Sequence, residues 1–102
     1  MKTAQVEKTD IEKQWHARGF SCGMWIDHAR RVWKDDWHDT DELFMAIAGE
    51  LEIEMGGRCI RPKIGEEVLI PARVHHTVKN VGKKTARWLY GLKAPAFQPV
   101  QD

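Results

Sequence analysis

Apolar positions along this chain come mostly in short bursts, divided by glycine, asparagine and charged pairs, and one stretch near the N-terminus follows a helical spacing instead. There Ile11 and Trp15, with Ala17 or Arg18, share a face of a helix expected over Asp10–Arg18, with Thr9 or Asp10 as its cap and Gly19 as its end. Beyond Gly19 the chain is rich in apolar, β-branched and aromatic residues over Phe20–Ile26, Arg31–Trp37, Leu43–Ala48, Leu51–Met55, Arg58–Pro62, Val68–Ile70, His75–Asn80 and Thr85–Leu92. Gly56-Gly57 is a two-residue hairpin signal, and Gly49-Glu50, Gly65-Glu66 and Asn80-Val81-Gly82 mark further turns. Short strands at such regular spacing predict an all-β sandwich or barrel. The expected organisation is an N-terminal segment with a short helix (1–19), a β-barrel (20–94) and a C-terminal tail (95–102) that is loose or lies along a neighbour.

The stretch around Leu43–Ala48 is apolar on both faces. If His38 and Glu42 face inward, Phe44, Ala46 and Ala48 follow them, and Trp37, Leu43, Met45 and Ile47 turn outward. A strand apolar on both faces is covered on both. A homodimer interface is the favoured cover, with Trp15 of the helix a candidate to lie over the same surface.

Composition narrows the classes of function. A chain of 102 residues makes one small domain. Sixteen basic and fifteen acidic residues leave a formal charge of +1, and no run of Lys or Arg tracks a phosphate backbone, so nucleic acid is not an expected partner. Met1–Asp10 is polar, unlike a secretory signal, and no apolar run approaches the roughly eighteen residues of a membrane span, so a cytoplasmic protein is expected. Cys22 and Cys59 lie far apart without a metal-type pair spacing, which favours free, buried thiols over a disulfide or a zinc knuckle.

Two stretches carry candidate chemistry: Asp36-Trp37-His38-Asp39-Thr40-Asp41-Glu42 and Pro71-Ala72-Arg73-Val74-His75-His76-Thr77-Val78-Lys79-Asn80. On one extended strand Asp36, His38 and Glu42 share a face. Two neutral imidazoles with one or two carboxylates suit a divalent transition metal, and the mixed donors admit Fe, Mn, Ni, Zn or Cu.

In both stretches the chain resembles the cupin superfamily, in particular its small single-domain, conserved-barrel members. The first family motif runs from a His-x-His pair through a Glu to a Gly; His38, Glu42 and Gly49 hold the last three of those positions, and Asp36 stands where the first His would be. In the second motif Gly65, Pro71, His76 and Asn80 fall at the required spacing, with Arg73 in place of a Gly. Fifteen residues separate Gly49 from Gly65, close to the minimal spacer of small cupins. The resemblance covers about Val32 to Tyr90 and implies a double-stranded β-helix, the jelly-roll barrel, with a metal at its mouth and usually a homodimer.

His38, Glu42, His76 and Asp36 are therefore the candidate metal ligands, with Asp36 acting directly, orienting another ligand, or neither. Arg73 replaces a Gly that allows positive φ, so a differently shaped turn is expected there, with the Arg73 side chain in the pocket or at its edge. His75 should point away from His76. Asp39 and Asp41 are read as solvated, and Asn80 as a turn residue. Trp25, Trp33, Trp37 and Trp88, with Phe44 and Tyr90, either build the core and a dimer interface or line a pocket; Phe44, Trp25 and Trp88 are the candidates for contact with a small-molecule ligand, and Tyr90 and Arg73 for proton transfer or anion binding. Two classes of function fit, a metal-dependent enzyme of oxygenase, isomerase or lyase type, and a binding or sensing module with a degenerate site; a scaffold dimer without a ligand is the third.

Overall fold

Lys8–Ala17 forms the one helix, α1, in a computed structural model that describes residues 6–29 and 32–94, the side chains of residues 32–35 excepted. The expected tail 95–102, the first five residues of the N-terminal segment, the strand start at Arg31 and the Trp33 side chain lie outside the described residues. The helix begins earlier than its sequence suggests: Glu7 is the N-cap without a side-chain cap, its carbonyl accepting from the Asp10 and Ile11 amides, and Asp10 lies in the first turn. Its end is a Schellman motif, with the Phe20 amide donating to the Trp15 carbonyl at 2.8 Å and the Gly19 amide to that of His16 at 3.0 Å.

Eight strands follow: β1 (Gly23–Asp27), β2 (Val32–Asp36), β3 (Glu42–Ala48), β4 (Leu51–Met55), β5 (Arg58–Ile60), β6 (Glu67–Ile70), β7 (His76–Asn80) and β8 (Ala86–Leu92). They pair antiparallel into two sheets, in the orders β1-β8-β3-β6 and β2-β7-β4-β5. The fold is all-β, a jelly roll with a short N-terminal helix. Gly56 and Gly57, at φ 57° and 75°, make the two-residue turn between β4 and β5, since both central positions of that turn need the left-handed region. Among the described residues, no helix is long and apolar enough to cross a membrane.

Register divides the apolar residues between two layers. In the β3/β8 ladder Phe44 faces Tyr90 and Ala46 faces Trp88, while Met45 faces Leu89. The first two pairs point between the sheets, where Phe44, Ala46 and Trp88 join Leu51, Ile53, Val68, Ile70 and Val78. The alternate residues Leu43, Met45 and Leu89 point outward and are covered by Trp15 and Phe20. Trp15 is fully buried, and burial of a large apolar side chain contributes on the order of 2 kcal/mol or more. The helix thus covers the outer face of β3 for which a second copy of the chain was the favoured expectation. The Trp15 indole and the Arg18 guanidinium both donate to the Glu67 carboxylate on β6, at 3.1 Å and at 2.8–2.9 Å, which ties the helix across the sheet.

Candidate metal centre

Asp36 is the last residue of β2 and His76 the first of β7, and the two are cross-strand partners in one sheet. Glu42 opens β3 in the other sheet, and His38 lies on the connection between them. The expectation that Asp36, His38 and Glu42 share one strand face is corrected: Trp37–Asp41 leaves the strand conformation and carries the chain from one sheet to the other. The three side chains still meet, because that crossing folds back over the gap between the sheets.

The donor atoms are close. Asp36, His38 and His76 each offer one atom within 4.8 Å of the others'. Glu42 Oε1 lies 3.5 Å from His38 Nε2 and 3.3 Å from His76 Nε2, and Asp36 Oδ2 lies 3.6 Å from His38 Nε2. Ligands about 2.1 Å from one ion are separated by roughly 3.0–3.4 Å in octahedral or tetrahedral arrangement, so these three spacings need little adjustment, while Glu42 stands outside the group of donors that all lie within 4.8 Å of one another and would have to move toward Asp36 to share an ion with it. The His76 Nδ1 donates to the Val74 carbonyl at 3.1 Å, which leaves Nε2 of the neutral ring free to face the cluster. Glu42 is buried, and its Oε1 makes no hydrogen bond while the His76 ring is neutral with its proton on Nδ1. A buried carboxylate oxygen without a donor is costly; a cation held among these four groups would satisfy it. Burial pulls the His76 imidazole toward its neutral form, but the Glu42 carboxylate, the Val74 carbonyl and Asp36 outweigh this and lift it above its ordinary value. The residues present therefore fit a divalent metal.

A cavity of about 210 Å3 opens beside the cluster. Besides the four donors it is lined by Trp25, Phe44, Trp88 and Tyr90, with Val78 and Leu92, the last two not singled out from the sequence. The β1/β8 ladder places Trp25 opposite Trp88 and Gly23 opposite Tyr90, so all four aromatic rings belong to one wall. Phe44 and Trp88 lie 5.7 Å apart, tilted by 30°, and Trp25 meets Tyr90 edge-on at 6.5 Å.

Arg73 does not join this group. Its side chain is exposed, with Nε 4.0 Å from the Asp39 carboxylate, and it is absent from the cavity lining. Nor is its turn reshaped: Arg73 itself takes φ 64°, as a glycine at that position would. Its backbone amide donates to the His38 carbonyl at 2.7 Å, and the next bond along, from the Ala72 amide to Asp41 Oδ1 at 2.8 Å, ties the same two loops. Asp41 is thus a structural acceptor rather than a solvated residue. Asn80 is buried in a turn role, donating to the His28 and Lys84 carbonyls and accepting from the Gly82 amide. His75 is exposed and stacks with Trp37, ring centres 6.1 Å apart. Cys59 is exposed, against the expected burial, and with Glu52 and Glu54 forms a second close group of donors on the far face of β4 and β5. That group is engaged internally: the Cys59 thiol donates to Glu52 and the Lys79 ammonium to Glu54.

The geometry has relatives. The family model described as "Cupin domain" matches residues 28–91, well over half of the chain. The chain belongs to the cupin family. A conserved-barrel cupin from Salinispora arenicola is similar at 18% identity and a TM-score of 0.68, over 76% of this chain and 66% of that one. A cupin superfamily protein from Desulfitobacterium hafniense is similar at 16% identity and a TM-score of 0.65, over 91% of this chain and 73% of that one. The salicylate 1,2-dioxygenase of Pseudaminobacter salicylatoxidans is similar at 20% identity and a TM-score of 0.68, over 74% of this chain but 22% of the dioxygenase. At these identities the likeness is one of fold. No curated protein matches this chain in sequence.

Proposed function

We propose that this cupin is a metal-dependent enzyme acting on a small organic molecule, with His38, Glu42, His76 and Asp36 as the ligands of a divalent transition metal. The observation that carries the reading is the buried Glu42 Oε1, without a hydrogen bond and 3.3–3.5 Å from two imidazole nitrogens. Bound there, such an ion polarises a carbonyl or enolate oxygen, or activates water or dioxygen. His76 is oriented for this by its bond to Val74, and the aromatic wall gives the cavity beside the donors an apolar side. Tyr90 is the proton-bearing group on that wall and is assigned proton transfer. Oxygenase, isomerase and lyase chemistry are all compatible with this set, and one protein of the same fold is a salicylate dioxygenase.

A non-catalytic binding module is the second reading. It is favoured by Asp36, whose side chain is 57% exposed where the family pattern has a histidine. Residues 20–94 are taken as the barrel domain. A cytoplasmic homodimer is proposed with either reading: both cysteines are free thiols, and Met24, Ile26 and Leu69 stay exposed beside the helix on the outer face of its sheet. Elemental analysis of protein purified without added metal tests the first reading. About one equivalent of a transition metal is expected, lost in His76→Ala; less than about a tenth of an equivalent, or full content in His76→Ala, would overturn it.

A further inference from the structure

We propose that the cavity admits an uncharged, single-ring aromatic compound that turns an oxygen substituent toward the donor cluster. The inference rests on the metal-centre reading for the oxygen's partner and on the wall for the ring. Size comes first. A dry, apolar cavity of about 150 Å3 holds a benzene ring, and the cavity here, about 210 Å3, leaves room for one substituted ring.

Shape agrees with size. Phe44 and Trp88 form one tilted pair and Trp25 and Tyr90 an edge-on pair, both fixed by strand register, so planar surfaces line the space. Aromatic rings favour offset or edge contacts with such surfaces. Trp25 lines the cavity yet remains 38% exposed, an apolar area that a ligand would cover.

Charge decides between ligand classes. Asp36 and Glu42 together offset the two positive charges of a divalent ion, so the loaded centre is formally neutral. Among the described residues, no Lys or Arg lines the cavity. An anion would surrender its hydration against an apolar wall and meet no net positive charge in return. A sugar fares no better, because its hydroxyls would find few partners on these aromatic rings.

Zinc, which is redox-inert, suits the test. Zinc-loaded protein is titrated calorimetrically at neutral pH with phenol, which is uncharged there, with cyclohexanol, which keeps the oxygen and loses the flat ring, and with benzoate, which keeps the ring and is anionic. Phenol should bind about tenfold or more tightly than either. Trp25→Ala separates the wall from the metal: Trp25 is partly exposed and the variant should fold, keep its zinc and lose about fivefold in phenol affinity. Benzoate or cyclohexanol binding as well as phenol, phenol indifferent to Trp25→Ala, or no phenol binding at all would each overturn the proposal. Protein that takes up no zinc overturns the metal centre instead; phenol against cyclohexanol on that protein then reads the ring preference, expected in favour of phenol and refuted by equal binding.

Discussion

The backbone amide of Arg73 donates to the carbonyl of His38 at 2.7 Å, and Arg73 reaches it by taking φ 64°. One candidate ligand is therefore held by the main chain of a residue whose side chain points into solvent. The position matters for its dihedral angle, and a guanidinium adds nothing to that.

Arg73→Gly should therefore stabilise the protein by about 1 kcal/mol, since the left-handed conformation costs a residue with a Cβ about that much. Arg73→Val should lower stability by a similar or larger amount. Both are read by urea denaturation, with metal content unchanged in Arg73→Gly. Loss of metal in Arg73→Gly would instead give the side chain a direct part in the site.

Zinc present at about a hundred times its dissociation constant should add about 2.7 kcal/mol to folding stability. For a domain of this size that raises Tm by roughly 10–20 °C, a gain that chelation removes. In Glu42→Gln the zinc-dependent rise should shrink by half or more, while the metal-free variant is no less stable than the metal-free parent, because the buried charge is gone and the amide that replaces it can donate to the His38 or His76 Nε2 within 3.5 Å. An undiminished rise would take Glu42 out of the ligand set.

The Arg18 guanidinium, aided by the Trp15 indole and opposed by partial burial, holds the Glu67 carboxyl below its ordinary value of 4.5. Glu67 thus binds a proton more weakly folded than unfolded. Its stabilising contribution is complete above pH 4.5 and is lost as the pH falls below that value. The pair is half exposed to solvent, so the effect is a few tenths to about 1 kcal/mol. The stability difference between the parent and Glu67→Gln, followed from pH 7 downward, should close in that acid range; a constant difference would mean the charge contributes nothing.

A methyl group at Gly23 would sit 3.0 Å from the Tyr90 ring and its hydroxyl. Gly23→Ala should push that ring toward the cavity, weaken phenol binding about threefold or more, and leave zinc content as it was. Unchanged phenol affinity would show that Tyr90 yields in another direction.

Where local chemistry alone sets the chain, the sequence was legible. Leu51–Met55 has its ends at the glycine turns that bound it, and the alternation of Leu43–Ala48 separates the two layers of the core. His38, Glu42, His76 and Asp36 meet, but by a different route from the one their spacing suggests. Alternation cannot tell a strand that runs on from one that crosses to the opposite sheet, and Trp37–Asp41 does the latter. The parts of Arg73 and Asp41 were hidden for a related reason: each acts through a hydrogen bond to a loop more than thirty residues away. The helix start was misplaced because Glu7 caps through its backbone, which leaves no mark in residue type.

The donors of the candidate centre come from two sheets and from stretches far apart in sequence. No early hairpin can assemble them, since contacts of that span form only once the intervening loops have closed. Ion capture in a refolding experiment would therefore act as a clock for the moment when the two sheets come face to face.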